Sequence, residues 1–222
     1  MKENEHVLHD ADIREPLFDF LEEKYGTMRI LEEKNIGDSR ADAVMVTPSA
    51  LYGIEIKSDA DTYARLARQV KDYDAWYDFN WLVVGSTHAA SAKDHVPWYW
   101  GILSVEIWQD RMDFYVVREP EANPECTLQK QIQVLWRPEL VKIQEACQLP
   151  AYKEKSKAFV QERILEKVKP EVLKPLLCEI LMDRDYTLIF DEINAWRKAN
   201  GKHKRRRKSA KKASQRQRKT LK

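Results

Sequence analysis

Residues 41–58 read ADAVMVTPSALYGIEIKS, and their pattern decides the fold. Ala43–Thr47 and Leu51–Ser58 are short runs rich in β-branched and apolar residues, with the turn-forming Pro48-Ser49-Ala50 between them. That is the signature of two successive β-strands. Three charges interrupt the apolar pattern: Asp42 at the start of the first strand, and Glu55 and Lys57 inside the second. Alternate residues of a strand share a face. Glu55 and Lys57 therefore project to one side, and Ile54 and Ile56 to the other. A tight connection through residues 47–51 makes the strands antiparallel neighbours, which brings Asp42 and the Glu55–Lys57 end together at one edge of a sheet.

Outward from this stretch, Asp12-Ile13-Arg14-Glu15 has the spacing of a capping box. It predicts a first helix from Asp12, with Leu17, Phe18, Leu21 and Tyr25 as its apolar face and Gly26 as its stop. A strand near 27–32 precedes the central pair. After the pair, Leu66, Val70, Tyr73 and Tyr77 recur at helical spacing over 61–77. The apolar stretch Asn80–Ser86 reads as a strand covered on both faces. Residues 100–107 and 113–117 predict a further hairpin. The core order is α-β-β-β-α-β. From about residue 120 the chain changes to helices broken by Pro150, Pro170 and Gly201. The expected division is a core over 1–120, a mostly helical segment over 121–201 and a basic tail over 202–222.

Two converging carboxylates suit a hard cation such as Mg²⁺ or Mn²⁺, which keeps several waters and takes oxygen ligands. A lysine beside such an ion can orient a water and offset the negative charge that builds up during phosphodiester hydrolysis. Asp42 and Glu55 are the expected metal ligands, and Lys57 is expected to act on the water. A solvent-exposed ion pair between Glu55 and Lys57, and a turn role for Asp42, are the plainer alternatives.

The Asp-x12-Glu-x-Lys arrangement across two strands resembles the PD-(D/E)XK nuclease superfamily, whose fold is restriction-endonuclease-like with the same αβββαβ order. Ala41 stands where the proline of that signature would be. Gln69 and Tyr73 form a Q-x-x-x-Y on the following helix, similar to the motif of the RecB-like branch and of a small bacterial family of such nucleases. The resemblance spans roughly residues 10–170. It implies an α/β fold with a mixed central sheet flanked by helices, and a Mg²⁺- or Mn²⁺-dependent endodeoxyribonuclease. By the same resemblance the Ile56 carbonyl is a further metal ligand. Gln69 positions the water or the scissile phosphate, and Tyr73 packs beside it. A first-helix carboxylate, Glu15, joins the metal network, although the capping box explains Glu15 equally well. Arg40, Arg65 and Arg68 are candidate phosphate contacts; the last two also fit the solvated face of their helix.

Composition narrows the partners. The 222 residues hold 38 Lys/Arg and 36 Asp/Glu, for a net charge of +2. Twelve of the basic residues, among them Arg205, Arg206, Arg207 and Lys208, lie in the acid-free stretch 202–222. The other 201 residues therefore carry a net charge of −10. Such a basic block repels itself, is expected to be disordered alone, and suits a polyanion, DNA above all. Three scattered cysteines fit neither a disulfide framework nor a zinc site. The polar, acidic N-terminal stretch predicts no signal peptide, and no apolar run approaches the ~18 residues of a membrane span. A cytoplasmic protein of a prokaryote or phage is expected, as a homodimer or within a larger complex. The competing functions are a non-catalytic DNA-binding module and an accessory subunit of a defence, repair or mobile-element complex.

Overall fold

The computed structural model describes residues 8–109, 111–185 and Ala195. The basic tail, with Arg205, Arg206, Arg207 and Lys208, lies outside the described residues, as does any helix beyond Asp185 apart from Ala195.

The chain to Arg184 forms one compact unit around a six-stranded mixed sheet. Its strands run in sequence order: β1 (Arg29–Ile36), β2 (Ser39–Val46), β3 (Leu51–Lys57), β4 (Phe79–Gly85), β5 (Gly101–Trp108) and β6 (Arg111–Arg118). β1, β2 and β3 are antiparallel neighbours. β3, β4 and β5 are parallel, and β5–β6 is an antiparallel hairpin. The parallel step from β3 to β4 needs a crossover, and α2 (Leu66–Trp76), entered through a 3₁₀ turn at Tyr63–Arg65, supplies it. With α1 (Asp10–Tyr25) ahead of β1, the order is α-β-β-β-α-β, as expected.

Ile13, Leu17 and Leu21 of α1 bury one face of the sheet against Ala43, Met45, Ile54, Ile56, Trp81 and Val83. Residues of opposite parity, among them Val44, Leu51 and Glu55, face α2. The chain after β6 adds helices α5 (Arg137–Ala146), α6 (Lys157–Lys167) and α7 (Pro170–Met182), and α7 packs on β2. Pro170 opens α7 at a position where the missing N–H has no intrahelical partner anyway. Short helices α3 (Ser86–Ala89) and α4 (Leu128–Gln131) lie in the connections after β4 and β6. β4 is buried throughout from Asn80 to Gly85, as its continuous apolar run predicts.

Three features that bear on the site differ from the expectation. α1 begins at Asp10, not Asp12. His9 is the cap residue, and the Asp12 carboxylate accepts its N–H at 3.0 Å, so Asp12 is the return partner rather than the cap. β2 begins at Ser39, which places Asp42 inside a strand. Finally, β3 is the third of six strands, so the site lies at the ends of central strands and not at a sheet edge.

Candidate active site

The β2–β3 ladder pairs Ala43 with Ile54, and no pair is formed beyond it, although β2 runs back to Ser39 and β3 on to Lys57. The two strands part at this point. Asp42 closes the gap with its side chain, whose Oδ2 accepts the Ile56 N–H at 2.9 Å. Within a strand, a residue turns its N–H and its C=O toward the same neighbour. The Ile56 carbonyl therefore also points into the gap beside Asp42.

Glu55 and Lys57 share the α2 face, as their spacing predicts, but they are buried rather than exposed: 1% and 6% of their surface remains accessible. Lys57 Nζ and Gln69 Nε2 both donate to Glu55 Oε1. The Tyr73 hydroxyl lies 2.7 Å from Glu55 Oε2 and 3.0 Å from the Ile54 carbonyl, and it accepts the Asp42 N–H at 3.3 Å. Gln69 and Tyr73, one helical turn apart on α2, thus both hold the carboxylate that the strand carries.

Asp42, Glu55, Ile56, Lys57 and Gln69 line one cavity of about 300 Å³, and Arg40, Arg65 and Arg68 stand on its exposed rim. Arg40 also pairs with Glu33 at 3.2 Å. Glu15 does not line the cavity; the first-helix carboxylate that does is Asp10, earlier on α1. Arg14 bridges it to the site. The guanidinium holds Asp10 Oδ2 at 2.8 Å and Glu32 at 3.1 Å, donates to the Asp42 carbonyl at 3.1 Å and lies 3.8 Å from Asp42 Oδ1. The sequence signal for this pair is the i, i+4 spacing of Asp10 and Arg14, which the capping-box reading of Asp12 and Glu15 obscured.

Burial pushes the Asp42 carboxyl up to about 7. The neighbouring charges of Glu55 and Asp10 add to the shift, while the Ile56 N–H and Lys57 oppose it. Burial, then Glu55 and Asp42, push Tyr73 well above the usual phenol range, so its proton stays in place as a donor.

Among the described residues, no three His, Cys, Asp or Glu side chains form a ready-made metal cluster. The expected donors are Asp42, Glu55 and the Ile56 carbonyl, and the carboxylates of Asp10, Asp38 and Asp61 also line the cavity. All are oxygens, the ligand type that Mg²⁺ favours. Three polar oxygens of the cavity walls, Asp10 Oδ1, Ser39 Oγ and Gln69 Oε1, are buried without a hydrogen-bond partner among the described residues. Unsatisfied polar atoms around two carboxylates fit a hydrated divalent ion.

The fold and this site together define an α/β protein with a polar, carboxylate-bearing cleft at the point where two central strands part. The family model of bacteriophage P4 protein cII matches residues 3–214, and the chain belongs to that family. No curated protein and no solved structure matches the chain. Among the described residues no helix is long and apolar enough to cross a membrane.

Proposed function

We propose that this protein is a metal-dependent nuclease that hydrolyses phosphodiester bonds, with DNA as its substrate. One observation carries the reading. Asp42, Glu55, Lys57 and Gln69, which arise from three elements, meet in one cleft whose rim bears Arg40, Arg65 and Arg68. The αβββαβ order and the spacing of these residues resemble the PD-(D/E)XK superfamily, which supports the same reading, and a phage family is a fitting setting for it.

Mg²⁺ or Mn²⁺ held by Asp42, Glu55 and the Ile56 carbonyl would supply Lewis-acid stabilisation of the phosphate and a more acidic water. The protein's own groups do the positioning. Asp42, bonded to the Ile56 N–H, fixes the carbonyl and the carboxylate at one place. Gln69 and Tyr73 lock both oxygens of Glu55. Lys57, held by Glu55, presents an ammonium to the attacking water and to the charge gathering on the phosphate. The rim arginines bind the flanking backbone, which positions a strand without reading its sequence. The tail adds affinity of the same kind. We place the protein in the cytoplasm of the infected or host cell, as a homodimer or within a larger complex.

The test is nicking of supercoiled plasmid by the purified chain with Mg²⁺, Mn²⁺ or EDTA, with Lys57→Ala alongside. Metal-dependent nicking that falls at least a hundredfold in the variant is expected. Equal nicking by both proteins would discard this site. Salt-sensitive DNA binding without nicking would favour the accessory-subunit reading, with which phage-family membership is equally compatible.

A further inference from the structure

A second cavity of about 250 Å³ lies on the α2 side of the sheet, apart from the carboxylate cleft. Val44 and Leu51 form its apolar floor. They share a face with Asp42 and Glu55 but lie further along the strands. Trp76 and Tyr77 wall it from the end of α2, and Trp136 and Leu181 wall it from the helical segment.

Its polar character is one-sided. Lys34, Lys157 and Arg184 line it, and among the described residues no carboxylate does. Arg184 is matched from behind: its Nε and Nη2 take the two oxygens of buried Glu139 at 2.7 Å each, and its guanidinium stacks 4.3 Å from the centroid of the Trp136 ring. Lys157 donates to a neutral acceptor, the Gln133 carbonyl at 2.8 Å. Burial pulls its ammonium below the usual lysine range, with Glu139 opposing. The buried hydroxyl of Tyr77 has no hydrogen-bond partner among the described residues. A roomy, half-apolar space with cations along one wall and aromatic rings along another is built for an occupant. Its volume is below the ~300–1,000 Å³ of drug-sized sites, so the occupant is small.

We propose that this cavity binds a small organic acid, with its carboxylate beside Lys157 and its aromatic or branched aliphatic body against Trp76, Trp136 and Leu181. A negative group there offsets the half-buried ammonium, and an apolar body covers the ring surface that the Arg184 guanidinium leaves open. A neutral molecule of the same shape would leave Lys157 as it is. The inference stands apart from the nuclease reading, because none of these residues belongs to the carboxylate cleft.

Saturation-transfer NMR on the full chain tests it, with benzoate and phenylacetate as probes and benzamide and phenylacetamide as their neutral counterparts. The acids are expected to bind at least fivefold more tightly than the amides. Lys157→Gln is expected to remove that preference, whereas Lys174→Gln, which lines a different cleft, keeps it. Absence of transfer from both acids would overturn the proposal. So would acid binding undiminished in Lys157→Gln, which would place the acids on other basic groups such as the tail. Should Lys157→Gln fail to fold, equal binding of acids and amides to the unaltered chain overturns the proposal by itself.

Discussion

Asp42 bears the sharpest electrostatic conflict in the site. It sits between Glu55 and Asp10 in a partly dry cleft, and its carboxyl titrates at about 7, well above the ~3.9 of an unfolded aspartate. The folded state holds this proton more tightly, so the associated stability is full below about pH 4 and is lost as pH rises through about 7. Asp42→Asn keeps an oxygen for the Ile56 N–H and removes the charge. In EDTA at pH 8 it should melt several degrees above the unaltered protein, a gain on the order of a few kcal/mol, and the gain should vanish near pH 4. Thermal melts by circular dichroism at the two pH values read this directly. An equal difference at both would mean that charge is not the cause. Mn²⁺ should raise the melting point of the unaltered chain at pH 8 and leave Asp42→Asn nearly unmoved.

Between elements, the packing of α2 on β3 sets the site, and Gly53 is where they come closest. A β-carbon at Gly53 would fall on the rings of Tyr73 and Tyr77 and within 2.7 Å of Asn80 Oδ1. Gly53→Ala must therefore push α2 off the sheet, at a cost of about 1–3 kcal/mol. Gln69 and Tyr73 ride on α2, so the melting point and cleavage should fall together; Lys57→Ala should lower the melting point as well, because it leaves Glu55 buried without its cation. The helical segment is held by a different device. Arg184 and Glu139 have side chains 1% exposed and pair through two hydrogen bonds, while Glu139 also caps α5 through the Trp136 N–H at 2.6 Å. Arg184→Met leaves that carboxylate buried and uncompensated, a loss of about 3–5 kcal/mol. Arg184→Met with Glu139→Gln keeps the cap and removes the charge, so much of the loss should return. A double-mutant cycle by urea denaturation measures the coupling.

For the whole molecule, charge is divided along the chain. The 201 residues before the tail carry −10, and the tail carries twelve basic side chains. A polyanion would be repelled by most of the body and drawn to the tail and the arginine rim. Removing residues 202–222 should weaken DNA binding and flatten its salt dependence, the slope falling by about 0.9 for each phosphate that the tail had neutralised. Fluorescence anisotropy over a salt series would show both. Turnover at saturating DNA should persist, because the tail holds none of the groups in the cleft.

The element order, the strand pair, the shared face of Glu55 and Lys57 and the Q-x-x-x-Y helix were legible in the sequence, because hydrophobic periodicity and turn chemistry are local properties. Their mutual placement was not. Whether Asp42 opens a strand or lies within one depends on β1, whose pairing extends β2 back to Ser39. The burial of Glu55 and Lys57 depends on α2 and on the further strands that make β3 central. Asp10 and Arg14 enter the site only because α1 packs across the sheet, and the basic-walled cavity exists only because the helical segment closes over Val44 and Leu51. Spacing along the chain determines which side chains share a face. Only packing between distant segments determines which faces meet, and so which charges lose their water.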